Sequence, residues 1–209
     1  MIEKIFSINS YLCVKFSPII NRFFLRKKGC SFGKNMTIIG KVSIRGTGHI
    51  SIGENFIMTS GYHINPVSAN LQGAIYTDNP KAQIIIGNNV GMNSTRIRIH
   101  DSLTIGNNVK IGGGVLLIDT DSHPIDYVAR RISNDATKYA PIVIEDDVWI
   151  GAQSIILKGV TIGARSIIGA GSVVTKNIPA DCVAGGNPCK VIKYLNRDGR
   201  NFVETNLTI

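Results

Sequence analysis

The segment Asp119-Thr120-Asp121-Ser122-His123-Pro124 sets an imidazole two residues from one carboxylate and four from another. A neutral imidazole nitrogen can take the proton of an alcohol as that alcohol attacks a thioester. Such general-base help is worth about 10²–10⁴ in rate. The second ring nitrogen then needs a partner to fix the tautomer, and Asp121, Asp119 or a backbone carbonyl could each serve. A histidine among Asp, Ser and Pro also has a plainer reading, a turn at the surface.

Other chemistries have less support. Cys13, Cys30, Cys182 and Cys189 form no CxxC pair and no zinc spacing with His49, His63, His100 and His123. The cysteines read as free buried thiols in a reducing compartment, with none placed to carry an acyl group. No metal is expected, and a zinc-dependent carbonic anhydrase lacks the closely spaced histidines it needs.

The elements that must position His123 announce themselves by a period of six. Ile144, Ile150, Ile156, Ile162, Ile168 and Val174 recur at that step, with glycine following at Gly151, Gly163 and Gly169. Upstream, Ile105, Ile111 and Leu117 keep the same step, and a weaker block runs Ile38, Ile44, Ile50, Phe56. Six fits neither the 3.6 of a helix nor a hairpin alternation. It fits a solenoid whose units are each one short strand and a turn, with the recurring aliphatic pointing inward. By this count His123 falls where a core aliphatic is due. Two interruptions, Met58 to Ile84 and from His123 to about Ile142, read as loops, the first carrying Tyr62, His63, Asn65 and Asp78. Composition agrees with a mostly β chain: 34 Ile against 9 Leu, 22 Gly and 7% aromatics.

Ile144-Glu145-Asp146-Asp147-Val148-Trp149-Ile150-Gly151, Lys158-Gly159-Val160-Thr161-Ile162-Gly163, Ile168-Gly169-Ala170-Gly171-Ser172-Val173-Val174-Thr175-Lys176 and Gly185-Gly186-Asn187-Pro188 resemble the hexapeptide-repeat acyltransferases. Within that family they are most similar to the branch of galactoside, maltose, nodulation-factor and bacterial polysaccharide O-acetyltransferases. The resemblance covers roughly residues 84–193. It implies a left-handed parallel β-helix of three strands per coil, trimeric in the family. The hand comes from the resemblance alone, since parallel crossovers are generally right-handed.

The resemblance also implies roles. His123 becomes the general base of direct acetyl transfer from acetyl-CoA. Asp121 joins it as a candidate orienting group, and a backbone N–H of a neighbouring coil or subunit stabilises the oxyanion. Asn93, in Gly91-Met92-Asn93-Ser94, matches a position lining the acyl site and touching acceptor or thioester. Asp101 is a candidate acceptor-binding residue, where His100-Asp101 departs from the family's acidic pattern. Trp149, Gly151, Ala152, Gly169 and Ala170 match the slot for the coenzyme's pantetheine arm. Thr175 and Lys176, with Lys190 and Lys193 at positions often held by arginine, match the phosphate end. Trp149, beside an inward Ile150, points outward and wants cover.

The 209 residues suit a basic amphipathic helical segment over 1–35, a β-helix over 36–193 and a tail over 194–209. Net charge is +9, but seven basic residues against Glu3 fall in the first 34 positions, so the body is not a nucleic-acid scaffold by charge. In that segment Ile5, Ile8, Leu12, Phe16, Ile19 and Phe23 keep helical spacing, and Pro18 predicts a break into two helices. Its apolar and basic faces suit either an anionic membrane surface or packing on the body or a sister subunit. No export signal or spanning stretch is apparent, so the expected setting is the cytoplasm, with peripheral contact at the inner membrane surface. The sequence thus predicts an acetyl-CoA-dependent O-acetyltransferase acting on a sugar hydroxyl of a bacterial surface polysaccharide or its precursor. An antibiotic O-acetyltransferase and a non-catalytic β-helix scaffold are the alternatives; the large helical domain of a serine acetyltransferase is not recognised.

Overall fold

A computed structural model describes residues 2–61, 64–68, 70–133 and 137–195, with side chains from Val14 onward apart from that of Pro66. Tyr62 and His63, and the tail beyond Leu195, lie outside the described residues.

Each coil contributes one strand to each of three sheets, A, B and C. The first coil is β1 (Ser31–Phe32), β2 (Thr37–Gly40) and β3 (Val42–Arg45); the second is β4 (His49–Ile52), β5 (Ile57–Ser60) and β6 (Gly73–Thr77). The third is β7 (Gln83–Ile86), β8 (Gly91–Asn93) and β9 (Arg96–Ile99), the fourth β10 (Ser102–Ile105), β11 (Lys110–Gly113) and β12 (Leu116–Ile118). The fifth is β13 (Ile142–Ile144), β14 (Trp149–Ile150) and β15 (Ile155–Leu157), the sixth β16 (Thr161–Ile162), β17 (Ile167–Ile168) and β18 (Val173–Val174). Through these coils every strand pairs in parallel with the one three places on. Sheet B then continues through β19 (Cys182–Gly185) to an antiparallel β20 (Lys190–Tyr194). This is the solenoid of short strands that the period of six predicts, in the parallel β-helix form of three strands per coil that the family resemblance implies.

Three steps of six make one coil, so Ile144 stacks on Ile162, Ile150 on Ile168 and Ile156 on Val174. These columns form the core, and each aliphatic so buried is worth about 1.5–3 kcal/mol. The same columns reach back to Ile52 in sheet A, Ile38 in sheet B and Ile44 in sheet C. Two complete coils therefore precede residue 83, and β6 lies within the stretch read from sequence as one loop. Among the described residues only 61, 64–68 and 70–72 leave the coil there; Ile75 alone supplies the inward aliphatic of β6, a faint signal once the insertion has broken the phase.

The corner between sheets A and B is left-handed in backbone and repeats. Asn35, Asn55, Asn89 and Asn108 hold φ of 56–58°, a region asparagine tolerates better than β-branched residues. Their side chains form a ladder, each Nδ2 donating to the next Oδ1 at 2.9–3.0 Å.

The N-terminal segment is one helix, α1 (Ile2–Lys27), running through Pro18 rather than breaking there. The carbonyl of Val14, which loses its partner to Pro18, belongs to a residue exposed to water, and packing holds the second half in place. Asn21 Nδ2 donates to the carbonyls of Ile38 and Gly40, each at 2.9 Å, Arg22 Nε to that of Met36, and Ser17 Oγ accepts from Gly40 N. These bonds and the fully buried Leu25 cover the open edge of β2, which would otherwise invite another strand.

Candidate active site

The outer face of sheet B carries a continuous column. Ile57, Gly91, Lys110, Trp149, Ile167, Val183 and Lys193 are successive partners across β5, β8, β11, β14, β17, β19 and β20. Trp149 is 55% exposed while Ile150 is fully buried, so the indole does point outward. Beside this column, Gly112, Gly151 and Gly169 make a flat stripe. A Cβ on Gly112 would lie 2.5 Å from Ala152 N, and one on Gly151 2.5 Å from Ala170 N. Coil stacking thus demands the absence of a side chain at Gly112 and Gly151, whereas a Cβ on Gly169 would meet nothing nearer than 3.6 Å, and all three leave backbone open to a ligand.

Column and stripe border a cavity of about 630 Å³ that gathers Asn93, Trp149, Gly151, Ala152, Gly169 and Ala170. The first insertion folds over one end, bringing Asn65 and Val67 to its rim. Ser68 Oγ, 3.2 Å from Asn93 Oδ1, ties the insertion to that buried amide. Ser68 and Lys110 are candidate site residues that sequence reading passed over. Lys110 sits in the middle of the groove, its Nζ donating to the Asn89 carbonyl at 3.3 Å.

Lys190 and Lys193 are three apart and on a regular strand would face opposite ways. A register shift lets Val183 pair with Lys193 and Ala184 with Val191, so both lysines lie on the outer face with their partners Gly185 and Val183. They stand two strands beyond Trp149's neighbour β17, at the far end of sheet B. Thr175 and Lys176 are exposed just after β18, at the same end of the coils but outside the cavity.

His123 lies elsewhere. The chain quits the coil at Asp119, so the ladder does not extend to His123, which is exposed rather than in the core. Residues 119–121 instead pair with 138–140 in a short antiparallel ribbon, through Asp121 N to Lys138 O at 2.9 Å and Ala140 N to Asp119 O at 3.0 Å. The excursion beyond carries α2 (Tyr127–Ile132), capped by Asp126. His123 shares a cavity of about 410 Å³ with Arg130, Arg131, Ile132 and Ser133.

The two carboxylates beside it have different duties. Asp119 is fully buried, and its oxygens accept from His100 N and Asp101 N, both at 2.7 Å. Burial pushes its carboxyl above the usual carboxylate range, against the pull of those two N–H groups. Asp121 Oδ1 accepts from Lys158 Nζ at 2.6 Å, and Oδ2 is buried with no hydrogen-bond partner. Asp101 stands at this same corner, away from Asn93, and His100 lies against Tyr139 with ring centroids 4.4 Å apart and planes tilted by 42°. Within one chain the groove of sheet B and the His123 cavity have no lining residue in common.

Cys30, Cys182 and Cys189 are free and buried, and burial pushes each thiol upward, as suits inert core residues. Among the described residues no group of three His, Cys, Asp or Glu could hold a metal ion, and no helix is long and apolar enough to cross a membrane.

Residues 141–176 match the family described as bacterial transferase hexapeptide (six repeats). The galactoside O-acetyltransferase of Escherichia coli (strain K12) is 42% identical over 122 residues, 58% of this chain and 59% of that protein. That of Lactococcus lactis is 37% identical over 127 residues, 60% of each. The chain spans 45–60% of the length of these and of a similar Schizosaccharomyces pombe protein. Among solved structures, a galactoside acetyltransferase in complex with coenzyme A aligns with 98% of this chain and 86% of its own, at 28% identity and a TM-score of 0.61. An N-acyltransferase from Bacillus cereus, 23% identical at a TM-score of 0.64 over 85% of this chain and 89% of its own, shares the fold.

Proposed function

We propose, from its match to the hexapeptide-repeat transferase family over residues 141–176 and its similarity to galactoside O-acetyltransferases, that this chain is an acetyl-CoA-dependent O-acetyltransferase acting on a sugar hydroxyl, in a surface polysaccharide or its precursor. The observation that carries the reading is the outer column of sheet B. It offers an exposed indole, a side-chain-free stripe and, at its far end, two lysines brought to one face. A narrow arm ending in phosphates fits that order, with Lys190 and Lys193, joined by Lys176, at the phosphate end. Thr175 lies alongside. The thioester end then lies towards Asn93, held by Ser68.

His123 is the general base. Of the two carboxylates, Asp119 is committed to backbone N–H groups, whereas Asp121 keeps one oxygen without a partner. Asp121 is therefore assigned to orient the imidazole. The imidazole takes the acceptor's hydroxyl proton as its oxygen attacks the thioester carbonyl. The tetrahedral oxyanion is met by the Asn93 amide or a backbone N–H, and collapse expels the thiolate, which recovers the proton from the imidazolium. The described cysteines, Cys30, Cys182 and Cys189, are buried, which supports direct transfer as the route.

The family resemblance implies a homotrimer, and because groove and base occupy separate cavities in one chain, the working site is assigned to the seam between its copies. Sheet B of one copy faces the His123 corner of the next, with Asp101 on the acceptor side. The work is placed in the cytoplasm. An antibiotic hydroxyl would engage the same machinery, and a scaffold would need none of it.

The test is thiol release from acetyl-CoA over a panel of sugar, glycan and antibiotic acceptors, for wild type and His123→Ala. Acceptor-dependent release that falls at least about 10²-fold in the variant supports the reading; failure to bind acetyl-CoA at all contradicts it.

A further inference from the structure

Between α1 and the open edge of β3 lies an apolar groove of about 780 Å³, lined by Phe16, Ile20 and Phe24 from the helix and by Val42, Ile44 and Tyr76 from sheet C. The helix turns its polar side inward, since Ser17, Asn21 and Arg22 bond the edge of β2. Its apolar side is left in water: Ile19 is 67% exposed and Phe23 64%, with Phe23 and Phe24 edge to face. That is the reverse of an ordinary surface helix, whose apolar stripe meets the core. Lys15, Arg26, Lys27 and Lys28 flank this stripe, and Lys41 and Arg45 line the groove's other wall.

We propose that the outer face of α1 docks on an anionic lipid bilayer, with one acyl chain entering the groove beside β3 and headgroup phosphates meeting Lys28, Lys41 and Arg45. Charge complementarity selects this occupant. An apolar stripe bordered by cations matches an interface of hydrocarbon and phosphate. A second copy paired face to face would set the same cations against themselves. The helix lies on the surface, being too short in apolar residues to cross. Docking does not depend on the acetyl-transfer reading. Where both hold, β8 with Asn93 stands two strands along sheet B from the covered edge of β2, roughly 10 Å at ordinary strand spacing, within reach of a lipid-linked acceptor.

The test is co-sedimentation of the full chain with vesicles of phosphatidylglycerol and phosphatidylcholine, or of phosphatidylcholine alone, without acetyl-CoA. The expected result is binding to the anionic vesicles that weakens in high salt and falls about tenfold or more in Phe23→Ser/Phe24→Ser. Both residues are more than half exposed, and unchanged circular dichroism and acetyl-CoA binding verify the variant's fold. A wild type that stays in the supernatant overturns the proposal, as does a variant that sediments like wild type. Equal binding to neutral vesicles overturns the anionic assignment. A variant whose oligomer shrinks in light scattering, with neither protein binding vesicles, shows that a second copy covers the face.

Discussion

Lys193 stands on the same outer column of sheet B as Trp149, separated from it only by Ile167 and Val183. At ordinary strand spacing the two are about 14 Å apart, so an indole and a cation mark two points along one straight groove. Replacing Lys190 and Lys193 together by alanine should raise KM for acetyl-CoA roughly tenfold while changing kcat less than about twofold. Steady-state kinetics with acetyl-CoA varied at saturating acceptor measures this.

Asp119 anchors the corner from which the His123 excursion leaves. Asp119→Asn offers one acceptor oxygen where His100 N and Asp101 N need two. The buried N–H left facing an amide group should cost about 1–3 kcal/mol of stability, read as a lower denaturant midpoint.

The same residue gives a signed pH effect. Burial raises its carboxyl pKa in the folded protein, so the native state holds the proton to higher pH than the unfolded chain does. Its contribution to stability is complete below the ordinary carboxylate range and is lost as pH rises through the raised value. Denaturation series from acid to neutral pH should show this loss in wild type and not in Asp119→Asn.

Asn89 is the third rung of the corner ladder, at φ 58°. Asn89→Leu loses both amide bonds and sets a branched residue in a left-handed conformation. A cost on the order of 2–3 kcal/mol is expected, seen as a reduced melting temperature with no change in KM.

The core was the most legible part of this chain, because each coil spends one aliphatic per sheet and repeats it: Ile144, Ile150 and Ile156 stand over Ile162, Ile168 and Val174. Counting failed where the chain stops obeying the helix. Six residues after Leu117 comes His123, yet the coil has already been left at Asp119, and no local signal separates a ladder that continues from one that ends. Pro18 likewise predicts a break, but tertiary bonds from Asn21 and Arg22 hold the helix through it. In the candidate site, the outward direction of Trp149 was readable from its place beside Ile150, whereas the slot glycines came from the family resemblance. Lys110 resembles any solvated lysine in sequence, and only pairing with Gly91 and Trp149 brings it into the groove. The shift that turns Lys190 and Lys193 to one side is a property of pairing, not of residue type.

We propose acetyl transfer at a site that two copies share, His123 from one and the Asn93 groove from its neighbour. The direct measurement mixes His123→Ala and Asn93→Ala chains, each expected to lose most of its activity alone, after dissociation and reassembly. If copies pair at random, roughly a quarter of the sites regain both residues, and acceptor-dependent thiol release should return to about that fraction of wild type. Mixtures no more active than the separate variants, in oligomers shown by mass spectrometry to contain both chains, would contradict it.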